Sequence, residues 1–595
     1  MLAEAYAPSP TYGFQVAQSF SGRNWRLRER NPEAARRLAL ASNLSPLLCD
    51  LLHARGIGAN EVSDYLQPTL KRLLPEPLLL SDMYKAVERA RSAVERGERI
   101  AVLGDYDVDG SCASALLCEF FTALGRPPRV YIPDRMTEGY GPNAAAMLTL
   151  KEEGASLIFT ADCGATANAA LSAARDAGLD VIVLDHHGVE TAPPALAHVN
   201  PNQPGDSSGL NHLCATGVAF LFLVALNRSL RASGWYAASG ISEPDLRDHV
   251  DLVALATVCD VVPLTGINRA FVRLGLARLS QLARPGFAAL AQVANITPPC
   301  TPYHLGFVFG PRINAGGRVG RCSLGVELLT AKTDADALAR ALDVHNKERR
   351  TIESSILDEA MAMAATQVES PILLLEGEGW HSGVVGIIAG RVKDRFSKPT
   401  FAIGFEGEMG RGSARSVPGF DMGAVVRAAR DAGILEAGGG HAMAAGVSLK
   451  REKLDAFRDF LAAHSAVAQT HGTAAKELAI DAMASCAGST PALVDDIARL
   501  GPFGAGNVEP LLALADVRVA FADVVGRDHV RFQLQGGDGS RLDAIAFRSG
   551  NAPLGQGLLA ARGRPVHVAG HLRVDDWNGR RRVRLQVEDA APAAP

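Results

Sequence analysis

The stretch RIAVLGDYDVDGSCASALLCEFFTALG, residues 99–125, decides the fold of this chain. It begins as a short β-rich run and continues as a longer apolar run with helical spacing. The same rhythm returns in RVYIP (129–133), ASLIFT (155–160), ANAALSAARDAG (167–178) and DVIVLD (180–185). Strand-like runs that alternate with helix-like runs are typical of a parallel sheet with crossover helices. The sequence therefore predicts an α/β fold.

Outward from this stretch, changes of pattern divide the chain into five predicted parts. They are an N-terminal extension (1–45), the parallel-sheet domain (46–280), a helical connector (281–370), a second α/β segment (371–468) and a small antiparallel barrel (476–591). Within the connector, residues 336–368 predict one long helix. Short alternating runs broken by turns favour a five-stranded oligonucleotide-binding (OB) fold for the barrel. The end EDAAPAAP (588–595) is predicted to be disordered.

Composition narrows the class of protein. A chain of 595 residues is too long for one hydrophobic core, and its 47% hydrophobic and 21% charged residues are typical of globular proteins. Its nine cysteines form no CxxC pair, which argues against a disulfide framework and a structural zinc site. No apolar run is expected to span a bilayer, and the first residues lack a secretory pattern, so a cytoplasmic protein is expected. The net charge of −4 neither indicates nor excludes a nucleic-acid partner.

Potential metal ligands follow each predicted strand. They are Asp105, Asp107 and Asp109 after IAVL, Asp162 after LIFT, Asp185, His186 and His187 after VIVL, and Asp260 after an apolar helix. A single aspartate at a strand end is as often a turn former or helix cap, but the whole set calls for one explanation. Crowded carboxylates repel one another unless cations neutralise them. Oxygen ligands with one or two imidazoles suit Mn²⁺ or Mg²⁺, and a shared carboxylate gives a two-ion site for displacement at phosphorus.

These motifs resemble, in matching order, those of the DHH phosphoesterases. The version GDYDVDG, DCG, DHH and CDVVPL is similar to the RecJ exonuclease family within that superfamily. The resemblance implies that Asp107, Asp109, Asp162, His186 and Asp260 bind two ions, with Asp162 as the bridge. It places Asp105 and His187 as near ligands or as groups that polarise the scissile phosphate. Asp185 is expected to orient a neighbouring histidine.

Arginines in glycine- or serine-rich surroundings are candidates for gripping a nucleic-acid chain. A lone arginine is more often a solvated charge, but glycine neighbours let the backbone approach an anion closely. By the same resemblance, Arg135, Ser413 and Arg415 would recognise a 5′ phosphate, and Arg312 and Asn314 would line the path to the metals. The runs 379–387 and 438–446 resemble the DHH-associated domain, in which His381 and His441 would contact substrate. Each of these two histidines, taken alone, could equally be a core residue.

In the predicted barrel, basic and aromatic residues are candidates for backbone contact and base stacking. They are Arg527, His529, Arg573, Trp577 and the run Arg580-Arg581-Arg582. For the arginine run, a solvated hairpin tip is the alternative.

The resemblance implies an enzyme that degrades single-stranded DNA from its 5′ end to mononucleotides, in DNA repair and recombination. It also implies single-strand-binding protein and a RecQ-type helicase as partners, and no membrane partner. A monomer is expected, because several domains around one cleft need no second subunit. The residues alone support only metal-dependent phosphoester hydrolysis on a polyanion. Two alternatives stay open: a DHH phosphoesterase for oligoribonucleotides or cyclic dinucleotides, and a replication scaffold without activity.

Overall fold

The computed structural model of the chain describes residues 14–29, 31–42, 44–135, 137–139, 141–464, 477–577 and 580–593. These residues form two compact units. Unit 1 contains the described residues within 1–74, 263–273 and 474–595, and unit 2 contains those within 75–262 and 274–473.

The strands, in chain order, are β1 (Gln15–Val16), β2 (Asn24–Leu27), β3 (Ile100–Gly104), β4 (Arg129–Tyr131), β5 (Leu157–Ala161), β6 (Asp180–Leu184), β7 (Ala197–Val199), β8 (Leu373–Glu378), β9 (Thr400–Glu406), β10 (Met409–Arg415), β11 (Ala437–His441), β12 (Ala444–Lys450), β13 (Glu477–Ile480), β14 (Ala482–Ala484), β15 (Leu512–Val525), β16 (His529–Gln535), β17 (Arg541–Ala546), β18 (Pro565–Trp577) and β19 (Arg580–Pro592).

The α-helices, in chain order, are α1 (Pro32–Ser42), α2 (Pro46–Ala54), α3 (Val62–Leu66), α4 (Leu70–Leu73), α5 (Met83–Arg96), α6 (Val108–Ala123), α7 (Ala144–Glu152), α8 (Asn168–Asp176), α9 (Ala215–Ala232), α10 (Trp235–Ser239), α11 (Val250–Cys259), α12 (Gly266–Leu279), α13 (Pro285–Val293), α14 (Gly310–Val319), α15 (Leu324–Thr330), α16 (Ala335–Thr366), α17 (Val385–Phe396), α18 (Met422–Asp431), α19 (Leu454–Ala463), α20 (Pro491–Ala498) and α21 (Pro553–Ala560). A turn of π-helix, His304–Phe309, leads directly into α14.

Unit 2 contains the predicted parallel sheet, with strand order β4-β3-β5-β6-β7. Every residue of β3 and β5 is buried, as expected for strands covered by helices on both faces. From β3 the chain adds β4 on one side and then crosses to add β5 on the other. The ends of β3 and β5 therefore form the switch point at which ligands bind in such sheets.

A second sheet in unit 2 has the order β11-β12-β10-β9-β8. Its strand β8 pairs in parallel with β9, whereas β10 pairs antiparallel with both β9 and β12. The helix α16 precedes this sheet and is 32 residues long, which confirms the predicted long connecting helix.

Unit 1 contains the predicted barrel. Strands β15, β16, β17, β19 and β18 pair in that order, and a β15–β18 pairing closes the ring. Its core consists of alternate strand residues such as Leu514, Phe532, Leu542 and Leu585. The prediction of a barrel of the OB type is confirmed.

The described part of the predicted N-terminal extension, from residue 14 onward, belongs to unit 1. Strand β2 pairs in parallel with β13, and Trp25 is completely buried, with its Nε1 donating to Asp589 Oδ2 at 3.0 Å. The prediction of disorder for residues 588–595 is wrong over residues 588–592, because β19 continues to Pro592 and buries Ala590 and Ala591. Residues 594–595 lie outside the described residues. Residues 46–74 also lie in unit 1 and not in the unit of the parallel sheet. Pairing between segments some 450 residues apart leaves no local pattern from which these arrangements could be predicted.

Helix α9 is, among the described residues, the one helix long and apolar enough to cross a membrane by length and composition. Of the 18 residues of α9, 72% are buried inside the protein, and the helix packs against α5 and α6. The core helix of a globular protein meets the same criterion.

Candidate functional site

Asp105 and Asp107 lie in the turn between β3 and α6. The Asp105 N–H donates to Ala161 O at the end of β5, which places the buried Asp105 carboxyl at the switch point. Asp107 is the N-cap of α6, and its Oδ1 accepts the Gly110 N–H at 3.0 Å. A Cβ at Gly110 would lie 2.6 Å from Asp105 O, so this turn requires glycine.

Asp109 is buried in the first turn of α6 and faces the start of α9. Its carboxylate accepts the N–H groups of Ala215 (2.7 Å) and Thr216 (2.8 Å) and the Thr216 hydroxyl (2.6 Å). The first N–H groups of a helix have no partner within the helix, so the start of α9 offers these donors to the carboxylate. One helix terminus therefore fixes Asp109 towards the sheet edge.

Asp162 has a left-handed backbone, with φ of +62°. This conformation is uncommon outside glycine, and such strain is typical of functional sites. The Asp162 N–H donates to Leu184 O, which ties the turn to the end of β6. Its Oδ1 lies 3.4 Å from His186 Nε2 and 3.8 Å from His187 Nδ1. The strained turn thus brings Asp162 to both histidines.

The Asp185 side chain organises the turn after β6. Its Oδ1 accepts the N–H groups of His186 and His187 and lies 2.8 Å from His187 Nδ1. Burial alone would raise the pKa of Asp185, but the hydrogen bond from His187 lowers it to about 2. Burial alone would lower the pKa of His187, but Asp185 raises it to about 9. The pair is therefore a carboxylate bonded to an imidazolium before any cation binds.

Asp260 caps the C-terminal end of α11, and its Oδ2 lies 3.6 Å from His186 Nε2. Burial, followed by the charge of Asp109, raises the pKa of Asp260 to about 8. Burial and the charge of Asp107 likewise raise the pKa of Asp105 well above its usual range. Among the described residues, the buried atoms Asp105 Oδ1 and Asp260 Oδ2 receive no hydrogen bond. Each of these two carboxyl groups therefore keeps an oxygen that no hydrogen-bond donor contacts.

Three groups in this cluster place their ligand atoms within 4.8 Å of one another. They are Asp105, Asp107 and Asp162; Asp109, His186 and Asp260; and Asp162, His186 and His187. The first two groups share no residue, and Asp162 and His186 connect the third to them. Unpartnered carboxylate oxygens at this spacing fit divalent cations, and a donor set of oxygen with imidazole fits Mn²⁺ or Mg²⁺.

A cluster of arginines adjoins the acidic groups. The Arg135 guanidinium lies 5.4 Å from the centre of the Tyr106 ring, between Asp105 and Asp107 in sequence. Burial lowers the pKa of Arg415, and the charge of Arg135 lowers it further; the same two causes lower the pKa of Arg318. In the described part of the chain, Arg318 donates to the Gly383 carbonyl and Arg415 donates to the Ser413 hydroxyl and the Ala414 carbonyl, so the contacts of these two guanidinium groups are with neutral groups. Three cations in mutual repulsion are chemically suited to bind an anion.

Ser413 and His381 surround this arginine cluster. The Arg415 Nη1 donates to Ser413 Oγ at 2.7 Å, and both face α17 at Gly386, where a Cβ would lie 3.1 Å from the guanidinium. His381 Nδ1 accepts the Gly383 N–H, and Gly383 O accepts from Arg318 Nη1. Ser413 thus contacts the Arg415 guanidinium directly, whereas His381 is connected to Arg318 through the Gly383 backbone.

Three further predicted substrate residues form hydrogen bonds with protein groups outside the arginine cluster. Arg312 Nε donates to Asp343 Oδ1 at 3.0 Å, so its charge is paired on α16. Asn314 Oδ1 accepts the Val108 N–H at 3.1 Å and so holds the first turn of α6. His441 is exposed at the hairpin between β11 and β12, and its Nδ1 accepts the Met443 N–H. Of the two residues predicted to line the path to the metals, Asn314 therefore lies beside the turn that carries Asp107 and Asp109, whereas Arg312 pairs with α16.

The barrel candidates are in part paired. Arg573 binds both carboxylate oxygens of Glu509, and Arg581 binds both of Asp495. His529 accepts the Arg548 N–H and contacts the Phe547 ring edge-on. The side chains of Trp577 and Arg580 lie outside the described residues.

Sequence reasoning missed several residues beside the site. Arg318 stands after Gly316-Gly317, the glycine context that singled out the other arginines, and could have been chosen by the same criterion. Tyr303 and Phe307 are 62% and 72% exposed, and their rings stack 5.2 Å apart on the turn of helix that leads into α14. Their four-residue spacing was the available signal. Such exposed rings suit base stacking.

Comparison with known proteins is consistent along the whole chain. The DHH family N-terminal domain matches residues 99–257, the DHHA1 domain residues 362–466 and the RecJ OB domain residues 480–589. The single-stranded-DNA-specific exonuclease RecJ of Escherichia coli (strain K12) is 34% identical over 576 residues, which cover 93% of this chain and 97% of that protein.

Crystal structures agree with this relationship. RecJ from Thermus thermophilus in complex with Mn²⁺ superposes with a TM-score of 0.79 and 30% identity, covering 96% of this chain and 80% of that one. Its complex with Mg²⁺ gives 0.74 and 28%, covering 96% and 79%. The two ions are those that the donor set of this chain fits. This chain belongs to the RecJ family of single-stranded-DNA-specific exonucleases.

Proposed function

We propose that this chain removes mononucleotides from the 5′ end of single-stranded DNA by metal-dependent hydrolysis of the phosphodiester bond. One observation carries the proposal: the acidic cluster and the arginine cluster meet at Tyr106. Arg135 lies over the Tyr106 ring, and the carboxyls of Asp105 and Asp107 flank that residue in the chain.

This proximity supports an exonuclease. A terminal phosphate held by Arg135, Arg318 and Arg415, with the Ser413 hydroxyl, would leave the next phosphodiester beside the acidic cluster. The product of each cut would then be one nucleotide. That the bound end is the 5′ end follows from the family resemblance.

Divalent cations complete the site in this proposal. Asp107, Asp109, Asp162, His186 and Asp260 would hold two ions, with Asp162 shared between them. When bound, such ions supply a hydroxide nucleophile and stabilise the charge that develops at phosphorus. His187, half exposed and held by Asp185, would contact the scissile phosphate, and Asp105 would support the ligand set from within.

Other groups of the chain keep these ligands in place. The start of α9 holds Asp109, and Asn314 holds the turn that carries Asp107 and Asp109. His381 would act through Gly383 on Arg318, Arg312 would line the path to the metals, and His441 would contact the substrate strand. The exposed rings of Tyr303 and Phe307 would stack on bases there.

The test is digestion of single-stranded DNA labelled at either end, by the wild type and Asp162→Ala, with Mn²⁺ or EDTA. We expect immediate release of the 5′-terminal mononucleotide by the wild type with Mn²⁺, and none with EDTA or the variant. First release from the 3′ label would overturn the polarity.

Two alternatives give different results in the same assay. A phosphoesterase for small substrates would hydrolyse dinucleotides as fast as long strands, although the RecJ OB match over residues 480–589 argues for a longer substrate. A scaffold would bind single strands without cleaving them under any metal. The complete set of acidic ligands argues against a scaffold.

Partners and setting are part of the same proposal. By the resemblance, the chain acts in DNA repair and recombination in the cytoplasm, as a monomer, with single-strand-binding protein and a RecQ-type helicase. Light scattering tests the monomer, and co-sedimentation with each purified partner tests the contacts.

A further inference from the structure

The two histidines of the candidate metal centre lie in a turn that backbone pairing does not hold. Strand β6 ends at Leu184, and His186 and His187 belong to no strand or helix. Backbone groups in such a turn must bond to side chains or water. A metal centre also needs a fixed backbone at its histidines, because the direction of each imidazole depends on the orientation of the peptide planes on either side of it.

Side chains bond to all four backbone polar groups of these histidines. Asp185 Oδ1 accepts the N–H groups of His186 (2.7 Å) and His187 (3.1 Å). On the carbonyl side, Asn202 Nδ2 donates to His186 O at 2.6 Å, and Asn200 Nδ2 donates to His187 O at 2.8 Å. One carboxylate and two amides therefore fix the peptide planes on both sides of each histidine.

The two amides are themselves fixed. Asn200 is completely buried directly after β7, and its Oδ1 accepts the Asn202 N–H at 2.8 Å. The second proton of its Nδ2 faces His198 Nε2 at 3.3 Å. The backbone N–H of His198 in turn donates to Asp82 Oδ2 at the start of α5. Each donor of Asn200 thus has one partner, and the network is anchored to a neighbouring helix.

We propose that Asn200 and Asn202 are positioning residues of the metal centre, which hold His186 and His187 in the orientation that binds the cations. Neither amide lies within hydrogen-bond reach of a carboxylate of the acidic cluster, so both act through the histidine backbone. The proposal rests on the proposed function, since it takes the histidines to face bound metal. Replacing groups that orient metal ligands typically weakens metal affinity about 10–100-fold.

The test measures Mn²⁺ binding by calorimetry in the absence of DNA, for the wild type, Asn200→Ala and Asn202→Ala. We expect the dissociation constant for Mn²⁺ to rise about 10–100-fold in each variant. At saturating Mn²⁺ the variants should recover the wild-type kcat and keep its KM for DNA, because neither side chain touches the strand. Asn202→Gln, which retains an amide donor, should recover part of the affinity.

The matched control is Asn227→Ala. Asn227 is another buried amide of unit 2, bonded to Glu243 at 2.7 Å and accepting from Tyr236, away from the acidic cluster. It should lose stability without any change in Mn²⁺ affinity. An equal loss of affinity in this control would mean that general destabilisation explains the effect, and would overturn the proposal.

Failure of the inference is distinguishable from failure of the proposed function. Folded Asn200→Ala and Asn202→Ala proteins with wild-type Mn²⁺ affinity would overturn the positioning role alone. A wild type that binds no Mn²⁺ would overturn both. If Asn200→Ala does not fold, Asn202→Ala remains testable, because Asn202 is only half buried.

Discussion

Tyr106 connects the acidic cluster with the arginine cluster at the scale of single residues. Its ring lies under Arg135 and packs against Gly317 of α14. Burial, followed by the charge of Asp105, raises the pKa of Tyr106 to about 12, so the ring stays neutral. The neutral Tyr106 ring therefore separates the acidic cluster from the arginine cluster without adding a charge of its own.

Gly317→Ala should displace this ring. A Cβ at residue 317 would lie 2.3 Å from Tyr106 Cδ2, a distance that no neighbouring group tolerates. We expect a loss of about 1–3 kcal/mol in the free energy of unfolding, as for other overpacked sites, together with a higher KM for DNA because Arg135 moves with the ring. Urea unfolding and steady-state kinetics measure the two effects.

Gly390→Ala is the control for this change. Gly390 lies inside α17, and a Cβ there would meet nothing within 4 Å. Alanine in a helix interior should stabilise by about 0.5–1 kcal/mol and leave KM unchanged. If Gly317→Ala behaves like Gly390→Ala, the packing of Tyr106 against α14 is not required.

Arg415 provides a second prediction at this scale. In Arg415→Lys the charge remains, but the planar fork that can bind two phosphate oxygens is lost. We expect a markedly smaller preference for 5′-phosphorylated over 5′-hydroxyl single strands, expressed in KM more than in kcat. Arg175→Ala on α8, an exposed arginine bonded to Asp176, should leave the preference unchanged. An unchanged preference in Arg415→Lys would remove the arginine cluster from end recognition.

At the scale of elements, a buried ion cluster joins helices behind the metal centre. Glu119 on α6 binds Arg284 at the start of α13 (2.8 Å) and lies 3.0 Å from His249 before α11. Arg284 also binds Asp251 at 3.1 Å. Because Asp109 lies in the first turn of α6 and Asp260 caps the C-terminal end of α11, this cluster fixes the two helices that position those carboxylates.

Glu119→Gln should reveal this cluster through the pH dependence of stability. Burial alone would raise the pKa of Glu119, but hydrogen bonds from His249 and Arg284 and the charge of Arg284 lower it to about 2, from an ordinary value of 4.5. A lowered pKa means that the ionised group stabilises the fold above about pH 4.5, and that this contribution is lost as the pH falls towards 2. At pH 6 the variant should be less stable by about 1–3 kcal/mol.

Urea unfolding between pH 6 and pH 3.5 checks the sign. The difference between the wild type and Glu119→Gln should shrink as the pH falls, since the wild type loses what the variant never had. Glu152→Gln, at an exposed position of α7, should show no difference at any pH. A difference that grows on acidification would contradict the assignment.

The elements also show which parts of the site could be predicted from sequence. The acidic cluster could, because residues just after parallel strands meet at one edge of the sheet whatever the details of packing. Arg312 was chosen for a glycine context that Arg318 shares, yet only the packing of α14 against α16 decides that Arg312 meets Asp343. Asn200 and Asn202 read as ordinary turn residues, because an asparagine after a strand has the same local pattern whether or not its amide holds a histidine.

At the scale of the whole molecule, the two units contain different parts of the chain's proposed function and of its framework. All the residues proposed to hold metal lie in unit 2, whereas both described chain ends lie in unit 1. There β2 pairs with β13, and Trp25 donates to Asp589 of β19. The alternation of apolar and polar residues predicted the barrel. The role of residues 14–29 could not be predicted, because they pair with residues far away in the sequence and no local pattern identifies those partners.

This division predicts separate responses to two perturbations, which hydrogen exchange followed by mass spectrometry can resolve along the chain. Trp25→Phe removes the donor to Asp589 Oδ2, and Asp589 is completely buried with only the Ala590 N–H on its other oxygen. An unsatisfied buried acceptor costs about 1–3 kcal/mol, so exchange should accelerate in β2, β13 and β19.

Saturation with Mn²⁺ should instead slow exchange at the ends of β3, β5 and β6 and the start of α6. A ligand at 100 times its dissociation constant stabilises the unit that binds it by about 2.7 kcal/mol. Protection of β13 and β19 by Mn²⁺ as strong as that of β3 and β5 would contradict a metal centre confined to unit 2, and faster exchange throughout unit 2 in Trp25→Phe would contradict a stabilising role confined to unit 1.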